Sequence, residues 1–341
     1  MSRFKPKYPT KEEILEAEAP VIDSSSKPQG LEDVVLPQGC HGTPDRPAGS
    51  FVQVSHFTAR NWGGRHENED RWMSYADVYH PRSMTFHSVG VMDGHDTEQA
   101  SDLVSKTLPV ALGKFLKEGK DFVTAYTLAL EECEETLSKF STTAGSCVLS
   151  ATVAGRHLWC ANLGDCRSAL VTLQAIPAAK KPTAAKVAGL HWMSVDHKAS
   201  SLAEKTRIEK AGGKVVDGRV EGLEPSRTIG DFDVKAQVKK GVISIVPEVR
   251  RVDLGEDTQA VLVCATDGVW DMLSGQDVCD LIVARKDIVK LQDSIGHGPS
   301  TAECRVLDEL AQDLVQFSIA KGSRDDCTAV VAMISTTVRS P

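Results

Sequence analysis

Carboxylates recur in this sequence where short apolar runs end. Val89-Gly90-Val91-Met92 leads into Asp93-Gly94-His95, and Leu158-Trp159-Cys160-Ala161-Asn162 leads into Gly164-Asp165. Val261-Leu262-Val263-Cys264-Ala265 leads into Asp267-Gly268, with Asp271 shortly after. Asp325 and Asp326 directly precede a further apolar run, and Glu69-Asp70 precedes one that begins near Arg71. A carboxylate just past a buried strand sits at a sheet rim, partly stripped of water. Several converging there repel one another unless a cation neutralises them. Hard divalent ions such as Mg2+ or Mn2+ accept all-oxygen cages of this kind and keep several waters. A glycine after Asp93 lets the backbone approach closely, and the Gly94 carbonyl is available as a further ligand. Taken singly, an Asp-Gly pair after a strand reads as a turn, Asp165 as a turn residue, and Asp271 as a helix cap or surface charge. Their recurrence together points to metal chemistry.

The elements that must position these acids follow from the hydrophobic pattern. Strand candidates are 51–58, 71–75, 85–92, 147–153, 157–162, 168–173, 189–194, 242–245, 248–253, 260–265 and 328–334, several rich in Val, Ile and Thr and bounded by turn residues. Helical spacing places Phe122, Ala125, Ala129, Cys133 and Leu137 on one face, and Val306, Leu310, Leu314 and Phe317 on another. Further helices are expected over 98–116, with a kink or break near Pro109, and over 201–211 and 275–285. Strands are not separated one-for-one by helices, which disfavours a doubly wound parallel sheet and favours two stacked antiparallel sheets covered by helices, an α+β class.

The chain has 341 residues and is 41% hydrophobic, enough for a substantial core. Residues 1–48 carry seven prolines, a Ser24-Ser25-Ser26 run and little periodicity, and read as an extension, partly disordered and partly surface-laid, with one short helix capped by Thr10. One catalytic domain over 49–337 is expected beyond it. Its formal net charge of −8 argues against nucleic-acid binding. No apolar run approaches the ~18 residues of a membrane span. The nine cysteines form no C-x-x-C pair, so they read as reduced packing thiols. A cytoplasmic monomer is the expectation, with the nucleus also open.

With these residues in view, the sequence resembles the protein phosphatase 2C family. Arg65-x-x-x-Glu69-Asp70, Val91-Met92-Asp93-Gly94-His95, Ala161-Asn162-Leu163-Gly164-Asp165, Asp196-His197-Lys198, Arg207-Ile208-x-x-Ala211-Gly212-Gly213, Ser226-Arg227-x-x-Gly230-Asp231-Phe232-Asp233, Ala265-Thr266-Asp267-Gly268-Val269-Trp270-Asp271 and Gly322-Ser323-Arg324-Asp325-Asp326 stand in that family's order and cover nearly all of 50–336. The resemblance implies a β-sandwich of two antiparallel sheets flanked on both sides by α-helices. It implies hydrolysis of phosphoserine and phosphothreonine in proteins at two Mg2+ or Mn2+ ions bridged by Asp93, with a bridging water as nucleophile. Glu69 and the Gly94 carbonyl complete one ion site, Asp267 and Asp325 the other. Asp165 and Asp271, with Asp267, match a weaker third site. Arg65 matches the phosphate-binding arginine and His95 the general acid, a task suited to a pKa near neutrality.

Three motifs depart from the family pattern. Asp96 and Thr97 follow Asp-Gly-His where glycines are usual; Asp96 reads as the cap of the following helix, with an outer-sphere contact to a metal-bound water as the alternative. Cys147 replaces a hydroxyl residue after Gly145-Ser146, and Asp326 replaces an asparagine. Asp196-His197-Lys198 and Asp231-Phe232-Asp233 read as structural, near a flap of about 198–240. Lys235, Lys239 and Lys240 read as a solvated face rather than a dock for acidic phosphopeptides. His56, His66, His80 and His87 have no acidic partner assignable from sequence. The competing reading is a catalytically weak relative that binds phosphoproteins and regulates by occupancy; a scaffold that uses the sandwich only for contacts ranks below it.

Overall fold

The computed structural model describes residues 50–60, 66–79, 84–175, 185–256, 258–285, 288 and 301–336. The expected extension over 1–48, Arg65 and His80 lie outside them. Two antiparallel sheets stack face to face, as expected. One has the order β1 (Ser50–Ala59), β11 (Cys327–Ser335), β10 (Gln259–Ala265), β6 (Arg167–Ala175), β7 (Ala185–Trp192). The other runs β2 (Arg71–Tyr79), β3 (Met84–His95), β4 (Gly145–Ala154), β5 (His157–Leu163), β9 (Glu248–Asp253), and the short β8 (Ile229–Gly230) pairs with the end of β4.

The period-2 alternation of the strands builds three apolar layers. Val89, Val91, Leu149, Cys160, Leu262 and Val330 meet between the sheets. Phe86, Met92 and Val148 point the other way, under α1 (Gln99–Lys117) and α2 (Phe122–Leu137), against Leu108, Leu112 and Leu130. On the opposite face Val261, Val263, Val331 and Met333 pack under α6 (Gly275–Ala284) and α7 (Thr301–Ala320), against Val278, Ile282, Leu310 and Leu314. Every residue of β4 is buried, so its polar members need partners. The Tyr126 hydroxyl serves two of them, 2.5 Å from Thr152 Oγ1 and 3.0 Å from Ser150 Oγ, while Ser146 Oγ donates to the Cys147 carbonyl at 2.7 Å.

Several expectations are corrected. The strand expected to stop at Met92 continues through Asp93 and Gly94 to His95, because β4 goes on pairing with it: Asp93 opposes Cys147 and His95 opposes Gly145. Asp93 therefore shares the intersheet face with Val89 and Val91 rather than sitting in a turn. The expected strand at 242–245 is absent. Val242 and Ile243 instead fill a small separate core with Ala199, Ile208 and Val220, beneath α3 (Leu202–Lys210). Pro109 is accommodated within a continuous α1. Asp96 does not cap that helix; it is exposed and left-handed, at φ 66°, and Glu98 holds the cap position.

Candidate active site

The acids singled out by the sequence come from separate elements at one end of the sandwich. Glu69 and Asp70 lead into β2, Asp93 lies in β3, and Asp165 follows β5. Asp267 opens the four-residue α5 (Asp267–Trp270), Asp271 closes it, and Asp325 precedes β11. Two hydrogen bonds tie the sheets together here. Thr266 Oγ1 donates to Asp70 Oδ2 at 2.9 Å, and the Glu69 backbone N–H donates to Asp326 Oδ2 at 2.7 Å. The Asp326 N–H in turn donates to Asp325 Oδ1 at 2.8 Å. Asp326, in the place of the family's usual asparagine, thus holds Glu69 and Asp325 in one arrangement while adding a charge.

Gly94 is required by contact. A Cβ there would stand 2.5 Å from the Glu69 carbonyl oxygen and 2.7 Å from Ser101 Oγ. Ser101, on α1, also hydrogen-bonds that same carbonyl, so helix, strand and Glu69 are locked together around a position without a side chain.

The electrostatics of the cluster are those of crowded carboxylates. Burial and then the charges of Asp267, Asp70, Asp165 and Asp325 push the Asp93 carboxyl well above its ordinary range. Asp267 is pushed up to about 7 by burial, with Asp165, Asp325 and Asp271 adding to it and Lys198 opposing. Glu69, Asp70, Asp165 and Asp325 are likewise raised, with burial as the first cause in each. Holding all of these ionised at neutral pH calls for positive charge among them. The donors are carboxylates and a carbonyl, the set that hard divalent ions accept, so the residues fit such ions chemically. As the side chains lie, no three of the His, Cys, Asp and Glu groups among the described residues form a cage that could hold a metal ion; the cluster is open.

His95 has a partner that the sequence reading missed. Its Nε2 lies 2.8 Å from Asp231 Oδ1, and Asp231 is buried and also accepts from Thr228 Oγ1 at 2.5 Å. Asp231, read above as structural, sits at φ 52°, in the left-handed region, at the head of the one-turn α4 (Phe232–Lys235). A Cβ at Gly145 would fall 2.1 Å from His95 Nε2 and 2.5 Å from either Asp231 oxygen, so the glycine makes room for the pair. Burial works against charging His95, but the hydrogen bond and charge of Asp231 outweigh it and raise its pKa above the ordinary value. Asp70, counted among the strand-end acids but given no role of its own, is buried inside the cluster and holds Thr266. His66 also gains an acid, Glu69 Oε2, at 3.4 Å.

The protein phosphatase 2C family profile matches residues 55–327. The chain belongs to that family. A probable protein phosphatase 2C 54 from rice is 29% identical over 90% of this chain and 82% of its own length. Human protein phosphatase 1A is 28% identical over 55% of this chain, but that match spans only 43% of the relative. The crystal structure of a serine-threonine phosphatase 2C from Toxoplasma gondii superimposes with a TM-score of 0.59 at 22% identity, covering 82% of this chain and 94% of that one. That likeness establishes the shared sandwich. The enzyme class is accordingly that of protein serine/threonine phosphatases.

Proposed function

We propose that this chain hydrolyses phosphoserine and phosphothreonine in proteins at two divalent ions held by Glu69, Asp93, Gly94, Asp267 and Asp325. One observation carries the reading: carboxylates from both sheets converge at one end of the sandwich, where burial and then their mutual charge raise their pKa values. Two Mg2+ or Mn2+ ions, when bound, supply Lewis acidity and an activated water. Asp93, on the intersheet face of β3 with its charge felt alongside Asp267, Asp70, Asp165 and Asp325, is the residue that would serve both ions. Asp326 and Ser101 hold Glu69 in place through its backbone N–H and carbonyl.

Arg65, five residues before Asp70, would offer its planar guanidinium to the phosphoryl oxygens. His95 would hold a proton for the departing serine or threonine oxygen. With Nε2 tied to Asp231, Nδ1 is the atom left to deliver it. The test is hydrolysis of a phosphothreonine peptide with Mn2+, with chelator, and by Asp93→Asn. We expect Asp93→Asn to lower kcat/KM by roughly a thousandfold, the range for losing a main source of transition-state charge stabilisation. Metal-independent turnover, or an unaffected variant, would sink the mechanism. Metal-dependent peptide binding without turnover would favour the regulator.

A further inference from the structure

Asp165 and Asp271 are the acids that the family resemblance offers to a third ion, and in this chain both are already engaged. Asp165 is 3% exposed and accepts a hydrogen bond from Cys147 Sγ at 3.1 Å. Cys147 stands where a hydroxyl residue is usual. Asp271 Oδ1 lies 3.6 Å from Lys198 Nζ, which at the same time donates to Glu224 Oε1 at 2.9 Å.

Lys198 is held in this position by its own backbone. It forms an isolated antiparallel bridge with Pro225, and the Ala199 N–H donates to the Glu224 carbonyl at 2.8 Å. Lys198 and Glu224 therefore stay neighbours, and the side chain, 21% exposed, has little freedom to leave for solvent. A divalent ion placed among Asp165, Asp267 and Asp271 would meet this positive charge at close range, beside a buried Asp165 and a half-exposed Asp271. It would also have to compete with the Cys147 thiol for Asp165.

We infer that Lys198 is a tethered cation that takes the place of a third divalent ion at the Asp165–Asp271 end of the carboxylate cluster. The chain then carries two ion sites, and the flap segment around Glu224 holds the counter-charge that a third ion would otherwise supply. An ion could enter only if the ammonium withdrew toward Glu224. This inference rests on the two-ion reading proposed above, and its test must separate the two.

The experiment is a Mn2+ count on the full chain without substrate, by calorimetry and by the electron paramagnetic resonance signal of free Mn2+. Wild type is expected to take up two ions. Lys198→Met is expected to take up one more, at least about tenfold tighter than any third uptake by wild type, which corresponds to losing a modest charge repulsion. Lys198→Arg keeps the cation and should count as wild type. Adding Asp271→Asn to Lys198→Met should abolish the extra ion. Equal counts in wild type and Lys198→Met overturn the role of Lys198 alone, and so does a wild-type count of three, which stays decisive if Lys198→Met fails to fold. A wild type that takes up no Mn2+ overturns the two-ion reading itself.

Discussion

If His95 protonates the departing oxygen, its contribution depends on how badly that oxygen needs a proton. A serine or threonine alkoxide is a poor leaving group; an activated aryl oxide is a good one. His95→Gln should therefore slow phosphothreonine-peptide hydrolysis by roughly a hundredfold or more, and change the rate on an aryl phosphate far less. Asp231→Asn should show the same substrate dependence in milder form, because it removes the charge that holds His95 protonated and oriented but leaves the imidazole. Equal losses on both substrates would place His95 in ground-state binding instead. Of this pair the sequence announced only one member. His95 was legible because it stands two residues after Asp93 in the Asp93-Gly94-His95 run. Asp231 was not, because it lies 136 residues away and reaches His95 only when β8 pairs with the end of β4. The clustered acids were legible because each sits next to an apolar run whose direction is fixed by burial.

At the scale of elements, the flap segment is stabilised by charge as well as by its small apolar core. Glu204, on α3, is 4% exposed and is gripped by Arg207 at 2.7 Å and Arg227 at 2.6 Å. Ser226 Oγ donates to it as well, at 2.7 Å. Burial alone would raise this carboxyl, but these partners outweigh burial and bring it down to about 2. A carboxyl depressed in the folded state adds stability that is fully present above its unfolded value of 4.5 and is lost as pH falls toward 2. Glu204→Gln should cost about 2–3 kcal/mol at neutral pH, below the range for a wholly buried pair because both arginines keep some contact with water. The gap in melting temperature between wild type and Glu204→Gln should then shrink as pH falls from 5 toward 3. A gap that stayed constant would mean that packing, not charge, holds α3. No periodicity disclosed this network. The apolar residues at 242–245 looked like a strand because Val and Ile favour sheets, whereas the available partner was α3 through Ile208. The strand over Asp93–His95 was missed for the converse reason: Asp-Gly-His has turn composition, and only the pairing with Gly145–Cys147 keeps it extended.

Across the whole molecule, the site joins two sheets that are otherwise held by an apolar interface. Cross-links such as Thr266–Asp70 and Glu69–Asp326 bring acids from both sheets together. Without positive charge among them, that proximity is unfavourable. Two opposite effects on stability follow for the same substitution. Under chelation, Asp93→Asn removes one member of a mutually repelling group whose carboxyl is already driven well upward, so the variant should melt higher than wild type. With Mn2+ present the order should reverse. Binding at a hundredfold excess over Kd stabilises by about 2.7 kcal/mol per ion, which for a chain of this size raises Tm by several degrees. The variant, lacking the acid proposed to serve both ions, should gain much less. Calorimetric scans of both proteins, each with chelator and with Mn2+, make the comparison. If Asp93→Asn melts below wild type in chelator as well, then Asp93 is a structural acid satisfied by its neighbours, and the repulsion expected at this rim lies elsewhere in the cluster.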